Sequence, residues 1–215
     1  SCLADDAGTR VGAPEGTTPG DDEDVETVAV SHERELRGAW VATVWNINFP
    51  ESYDPDDQQA ELDEMVQTLA DLNFNAIFFQ VRAEGDALYD SDLEPWSRFL
   101  TGTQGIDPGY DPLAYLIEAA HSRGIEVHAW FNPYRARVSE GSTSVSPHAT
   151  VDDPDHCYAY NGYVWMDPGA PSIQARTEAV IVDVVERYDI DGVHFDDYFY
   201  PYPDDDEDFP DDRTY

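Results

Sequence analysis

Residues 75–81 read NAIFFQV, and this run decides the fold. It is almost wholly apolar, without the alternation of a half-solvated strand, which suits a parallel strand covered on both faces. A helix expected to begin near Gln58 precedes it, with Leu62, Met65, Val66, Leu69 and Leu72 at helical spacing on one face. The same pattern recurs on either side. Leu36 to Trp45 (LRGAWVATVW) reads as an earlier strand, in which Gly38 allows close approach of a neighbour. Ile125 to Asn132 (IEVHAWFN) reads as a later one, after a helix announced by Asp111 as N-cap and Pro112 at the first helical position and stopped before Gly124. A helix over 171–188 then delivers the chain to a fourth strand at Asp191. The connection 133–167 shows no periodic element. A loop this long is functional or disordered, and Tyr158, Tyr160, Tyr163 and Trp165 favour function.

Strands alternating with helices imply an α/β fold with a parallel sheet. Four units starting near 37, 75, 125 and 191 imply the first four βα units of a TIM (β/α)8 barrel, because a whole barrel needs roughly 250 residues and this chain has 215. A doubly wound open sheet is the alternative, but no Gly-rich phosphate loop follows the first strand. The expected organisation is an acidic tether over 1–30, the N-terminal half of a barrel over 31–203, and an acidic loop over 204–215 in which the barrel is cut. Such a half barrel leaves its outer strands as unpaired edges.

The chain carries 46 acidic and 11 basic residues, for a net charge of −35, and every basic residue is Arg. A surface this negative repels nucleic-acid phosphates and anionic lipid, whereas a neutral polymer such as a glycan is compatible with it. Absence of Lys with abundant Asp also resembles proteins of salt-loving organisms, where high ionic strength screens self-repulsion. Unfolding at low salt is therefore expected, and equal denaturation midpoints at low and high salt would refute it. Cys2 and Cys157 are too few for a disulfide framework or a Cys-rich metal site. Ser1-Cys2 followed by an acidic Gly/Pro/Thr stretch reads either as a lipoprotein start, with Cys2 lipidated in the cell envelope, or as a fragment boundary. No apolar run of ~20 residues is present to span a membrane, so membrane contact is expected only through such an anchor.

Chemistry is expected where the strands end, since barrel active sites form at the C-terminal ends of the strands. The stretch Asp191 to Tyr202 (DGVHFDDYFYPY) opens as the fourth strand and then runs straight into adjacent carboxylates and a cluster of aromatics. Period-two alternation sets Gln80 with Arg82, His128 with Trp130 and Asn132, and His194 with Asp196 on matching faces. Asp196 is then the inward carboxylate, and Asp197 orients a neighbour or caps the next loop. Arg82 suits a carboxylate or a substrate oxygen. Asn132 and Gln80 suit sugar hydroxyls, and Trp45, Trp96 or Trp165 suit stacking on a pyranose face. Trp40 and Trp130, inside strands, read as core, and His128 or His194 on a strand is more often a hydrogen-bonded packing residue than a ligand. Glycoside hydrolysis needs two carboxyl groups, and the partner of Asp196 lies in Glu84, in Asp86 or beyond the last residue. A metal-dependent hydrolase built on His128, His194 and Asp196 is a less favoured reading.

The segments RGAWVATVWNINFP, NAIFFQVRAEGDALYDSDLEPWSRFLTGTQGIDPGYDPL, HAWFNPYRA and DGVHFDDYFYP together resemble the glycosyl hydrolase-like 10 family over nearly all of residues 36–203. The resemblance implies a TIM barrel, an envelope or lipoprotein location, and a glycosidase needing no cofactor. It also implies hydrolysis of glycan strands, in some members peptidoglycan strands stripped of stem peptides. It implicates Gln80, Arg82, Asp86, His128, Asn132, His194, Asp196 and Asp197 as the site, with Asp196, Asp197 and Asp86 catalytic and the others, together with Trp45 and Tyr198, binding substrate. Ala83-Glu84 departs from the Pro-Ala that commonly precedes Gly-Asp in the family. Aligned on Asp191-Gly192, His194 and Tyr198 replace an acidic pair of the DGxDxDxE strand of family 18 chitinase-like glycosidases, so their substrate-assisted mechanism is not expected. A catalytically silent glycan-binding barrel or an inactive fragment is the alternative to an enzyme.

Overall fold

The computed structural model describes residues 35–203 and 208–214. The expected tether with Cys2 lies outside the described residues, as do 204–207 of the acidic run. Four parallel strands, β1 (Gly38–Val41), β2 (Ala76–Arg82), β3 (Glu126–Phe131) and β7 (Gly192–Phe195), lie side by side in chain order. Helices α1 (Pro55–Asp71), α3 (Pro112–His121) and α5 (Pro171–Arg187) connect them, and a short helix α2 (Arg98–Thr101) lies between β2 and α3. This is the succession of a (β/α)8 barrel over four strands.

Side-chain caps fix the starts of α1 and α3. Asp54 caps α1 by accepting from the Asp56 amide at 2.9 Å, and Pro55 occupies the first turn, so the helix opens three residues before the expected Gln58. Asp111 caps α3 through the Ala114 amide at 2.9 Å, as expected. Ile77, Phe79 and Val81 of β2 and Val127, Ala129 and Phe131 of β3 pack with Leu62, Val66, Leu116 and Val184 of the helices. Each fully buried side chain of this kind contributes roughly 1.5–3 kcal/mol. The close approach expected at Gly38 is real, since a Cβ there would collide with the Phe78 ring.

The opposite face carries Trp40, Phe78, His128, Trp130 and His194, whose rings pack edge-on or tilted at centroid distances of 4.7–6.3 Å. Trp130 is buried as expected. Trp40 is not, with 52% of its surface exposed, because β1 is an edge strand and this face lies away from the helices.

The connection 133–167 is where expectation and structure part. It holds a three-stranded antiparallel sheet of β4 (Arg135–Arg137), β5 (Cys157–Tyr160) and β6 (Tyr163–Met166), in the order β4-β6-β5, and a short helix α4 (Ala149–Asp152). The β5–β6 turn is Asn161-Gly162 with φ of 49° and 81°, the pairing that a tight hairpin of twisted strands requires. The tail returns to this sheet. Phe209 packs its ring against those of Tyr158 and Tyr160, and the Thr214 hydroxyl donates to Asp167 at 2.7 Å.

Candidate functional site

The C-terminal ends of the parallel strands open into a cleft of about 260 Å³, lined among others by Trp45, Gln80, Trp130, Arg135, Tyr163, Asp196 and Tyr198. A chain of amides sets its polarity. Gln80 Oε1 accepts the backbone N–H groups of Thr43 at 2.8 Å and Val44 at 2.9 Å, so its nitrogen points the other way and donates to Asn132 Oδ1 at 2.6 Å. Arg135 Nη2 donates to that same oxygen at 2.9 Å. With its oxygen occupied, Asn132 turns Nδ2 to Asp196 Oδ2 at 2.6 Å, where Trp130 Nε1 also donates at 3.1 Å. The Tyr198 amide donates to Asp196 Oδ1 at 3.0 Å. Three N–H donors around one carboxylate are an arrangement for an anion. Such a group suits a nucleophile or base better than a proton donor.

The walls are aromatic. Trp45 and Asn46 hold left-handed backbone conformations, with φ of 57° and 52°, that non-glycine residues rarely adopt. Asn46 Nδ2 locks this turn by donating to the carbonyls of Pro50 at 2.9 Å and Phe99 at 2.8 Å, which leaves Trp45 55% exposed at the cleft edge. Strained backbone held by its surroundings clusters at binding sites. Opposite, Trp165 of β6 is buried behind Tyr198, its ring 6.3 Å from the tyrosine ring at 16° and nearly parallel to it. Trp96, another candidate for stacking, packs instead against the core.

Asp196, Asn132, Gln80, Trp45 and Tyr198 thus come together, and the remaining candidates do not join them. The register of β2 against β3 shifts between Gln80 and Arg82, so Arg82 pairs with Phe131 rather than with Asn132. Arg82 is 1% exposed and clamps Glu94 with two bonds, at 2.6 and 2.5 Å, while Nη1 donates to the carbonyls of Asn132 and Pro133. It is a scaffold residue rather than a binder of substrate. His128 lies two positions nearer the start of the sheet than Trp130, level with Gly192, and bonds Glu126 at 3.1 Å. His194 is level with Trp130 within the aromatic layer, and burial lowers its pKa. Asp197 is exposed and accepts the Tyr202 hydroxyl at 2.5 Å. Among the described residues no three His, Cys, Asp or Glu side chains converge as a metal site.

Asp86 is fully buried and absent from the cleft lining, so the catalytic role expected of it has no geometric basis here. Gln104 donates to its Oδ2 at 3.1 Å, and Oδ1 has no partner. Glu84 is buried beside it, held by Arg98 Nε at 2.9 Å and the Val138 amide at 2.7 Å. Burial, reinforced by the Glu84 charge, pushes the Asp86 carboxyl up to about 8. A carboxyl that is neutral when folded and ionised when unfolded opposes folding increasingly as pH rises. Its contribution is expected to fall from about pH 4 to about pH 8. Asp86→Asn, which keeps the shape without the ionisation, should flatten the urea-midpoint profile across that window. A profile as steep as that of wild type would refute the assignment.

Two cleft residues carry roles that alternation does not reveal. Arg135 and Tyr163 lie beyond Pro133, where the period-two pattern of β3 stops. For Arg135 the hint is that it follows so closely on a strand end in a chain with few bases, and for Tyr163 it is the run of aromatics in the long connection.

The glycosyl hydrolase-like 10 family model matches residues 35–215. The glycosyl hydrolase YngK of Bacillus subtilis is 41% identical over 187 residues, covering 85% of this chain and 37% of the relative. The glycosyl hydrolase DigH of Escherichia coli K12 is 36% identical over 220 residues, covering 93% of this chain and 48% of the relative. The chain therefore spans less than half the length of these two relatives. A hypothetical protein from Ruminiclostridium thermocellum superposes with a TM-score of 0.50 at 15% identity, over 66% of this chain and 72% of that one, a likeness of fold alone.

Proposed function

Because the chain belongs to the glycosyl hydrolase-like 10 family, we propose that it forms part of a glycoside hydrolase acting on a cell-envelope glycan, with peptidoglycan glycan strands as the substrate. The observation that carries this reading is the Asp196 carboxylate, held by Trp130, Asn132 and the Tyr198 amide at a strand end between aromatic walls. Apolar ring faces at Trp45 and Tyr198 suit pyranose faces, and Gln80 and Asn132 hold the carboxylate rigid. Two carboxyl groups are needed for hydrolysis, and Asp196 is the one carboxylate that lines the cleft among the described residues. In this reading the second comes from the additional length that the relatives possess, and the envelope is the protein's location.

That same single carboxylate favours the second reading, a glycan-binding barrel without turnover. Incubation of the full-length protein with peptide-free glycan strands separates the two. New reducing ends are expected. Strands retained on the protein with no new reducing ends would overturn hydrolysis and leave binding.

A further inference from the structure

Two arginines among the described residues are almost sealed from solvent, and their charges are met differently. Arg82 is matched by both oxygens of Glu94. Arg135, 6% exposed, forms no ion pair among the described residues. Its Nε donates to the Ala83 carbonyl at 2.9 Å, its Nη2 donates to Asn132 Oδ1 at 2.9 Å, and its guanidinium lies 5.4 Å from the centre of the Tyr198 ring. These partners are all neutral. Asp196 and Glu84 act on Arg135 only from beyond ion-pair distance, and burial still lowers its pKa. Nη1 makes no hydrogen bond to a described residue, and the side chain lines the cleft.

Burying a charge is costly unless a counter-charge meets it. In a chain with 46 acidic residues a partner was easily supplied, as Glu94 is for Arg82 and Glu84 for Arg98. The buried cation without a carboxylate is the one that faces the cleft. Guanidinium binds carboxylates in a planar, charge-assisted geometry. The general acidity of the surface does not forbid an anionic ligand, because charges farther than about 8–10 Å are screened at moderate ionic strength.

We infer that Arg135 is the substrate-carboxylate site of this cleft: its free guanidinium edge binds a carboxylate on the sugar seated between Trp45 and Tyr198, beside Asp196. This rests on the glycan reading of the cleft and deepens it by assigning an acidic sugar to the position next to the candidate catalytic carboxylate. Two kinds of sugar supply that group. One bears it on a lactyl ether, as in peptide-free glycan strands, and the other bears it at C6, as in a hexuronic acid.

The test is equilibrium binding to the full-length protein at ~0.15 M salt, with reducing ends counted in the same samples. The probes are a peptide-free glycan-strand oligosaccharide, the same oligosaccharide with its carboxyls reduced to alcohols, and an oligohexuronate. The acidic strand is expected to bind about 10- to 100-fold tighter than its reduced form. Arg135→Gln should bring that ratio close to one, and Arg135→Lys should retain part of it. A tighter oligohexuronate would assign the site to uronic acids. Equal binding of acidic and reduced strands by wild type would overturn the inference, and so would an Arg135→Gln variant that weakens both alike, since Arg135 would then only position Asn132 and Tyr198. Failure of every glycan to bind would overturn the inference together with the glycan reading. A preference for the acidic strand without new reducing ends would uphold the carboxylate site while removing hydrolysis.

Discussion

Asp196→Asn is expected to lower glycan hydrolysis by the full-length protein by about 10²–10⁴-fold, with the fold retained at a modest loss of stability. The amide can place its oxygen where Asp196 Oδ2 now accepts from Trp130 and Asn132, so those two bonds survive. Its NH2 group then meets the Tyr198 amide, and one hydrogen bond is exchanged for a donor facing a donor. A lost bond of this kind costs roughly 1–2 kcal/mol, which a shift in denaturation midpoint measures separately from activity. What disappears is the negative charge that the three donors surround. Asp197→Asn is the control from the adjacent position. That side chain is exposed and bonds Tyr202, so near wild-type release of reducing ends is expected. Equal loss in both variants, or full activity in Asp196→Asn, would refute the assignment of Asp196.

The parallel sheet was legible because its strands are apolar runs separated by helices, and Asp111-Pro112 places one helix start by chemistry that acts within four residues; Asp54-Pro55 carries the same signal, yet periodicity alone set that helix three residues late at Gln58. The antiparallel sheet was not, since strands of three and four residues are too short for any period to show. Its only strong local mark is Asn161-Gly162 between tyrosines. Within the site, Gln80, Asn132 and Asp196 followed from alternation along regular strands. Alternation failed at Arg82 because a bulge re-registers β2 one residue earlier, and bulges leave no dependable trace in a single sequence. Asp86 misled for a different reason. An acidic residue at a strand end looks the same in sequence whether it faces a cleft or is sealed beneath a loop, and only the packing around Gln104 and Glu84 tells the two apart.

Glu94→Gln is expected to be the most destabilising single change near the site, by about 3–5 kcal/mol. Burial alone would push the Arg82 guanidinium down, and the two charged bonds from Glu94 more than offset it. Gln keeps one accepting oxygen for Arg82 but removes the charge and turns an NH2 toward the second guanidinium donor, which leaves a cation at 1% exposure with only neutral carbonyls in contact. Arg176 loses support as well, because its Nε lies 3.7 Å from Glu94 Oε1 while its Nη2 ties the Leu93 and Pro147 carbonyls together. The damage should reach the cleft, since Arg82 holds the backbone from which Asn132 reaches Asp196. The double variant Arg82→Met/Glu94→Leu provides the decisive comparison. A buried pair replaced by apolar groups of similar size is often neutral in stability, whereas a broken pair is not. Urea denaturation should therefore find the double variant more stable than Glu94→Gln. If the double variant were the less stable of the two, the cost would come from the volume and shape of the pair rather than from an uncompensated buried charge.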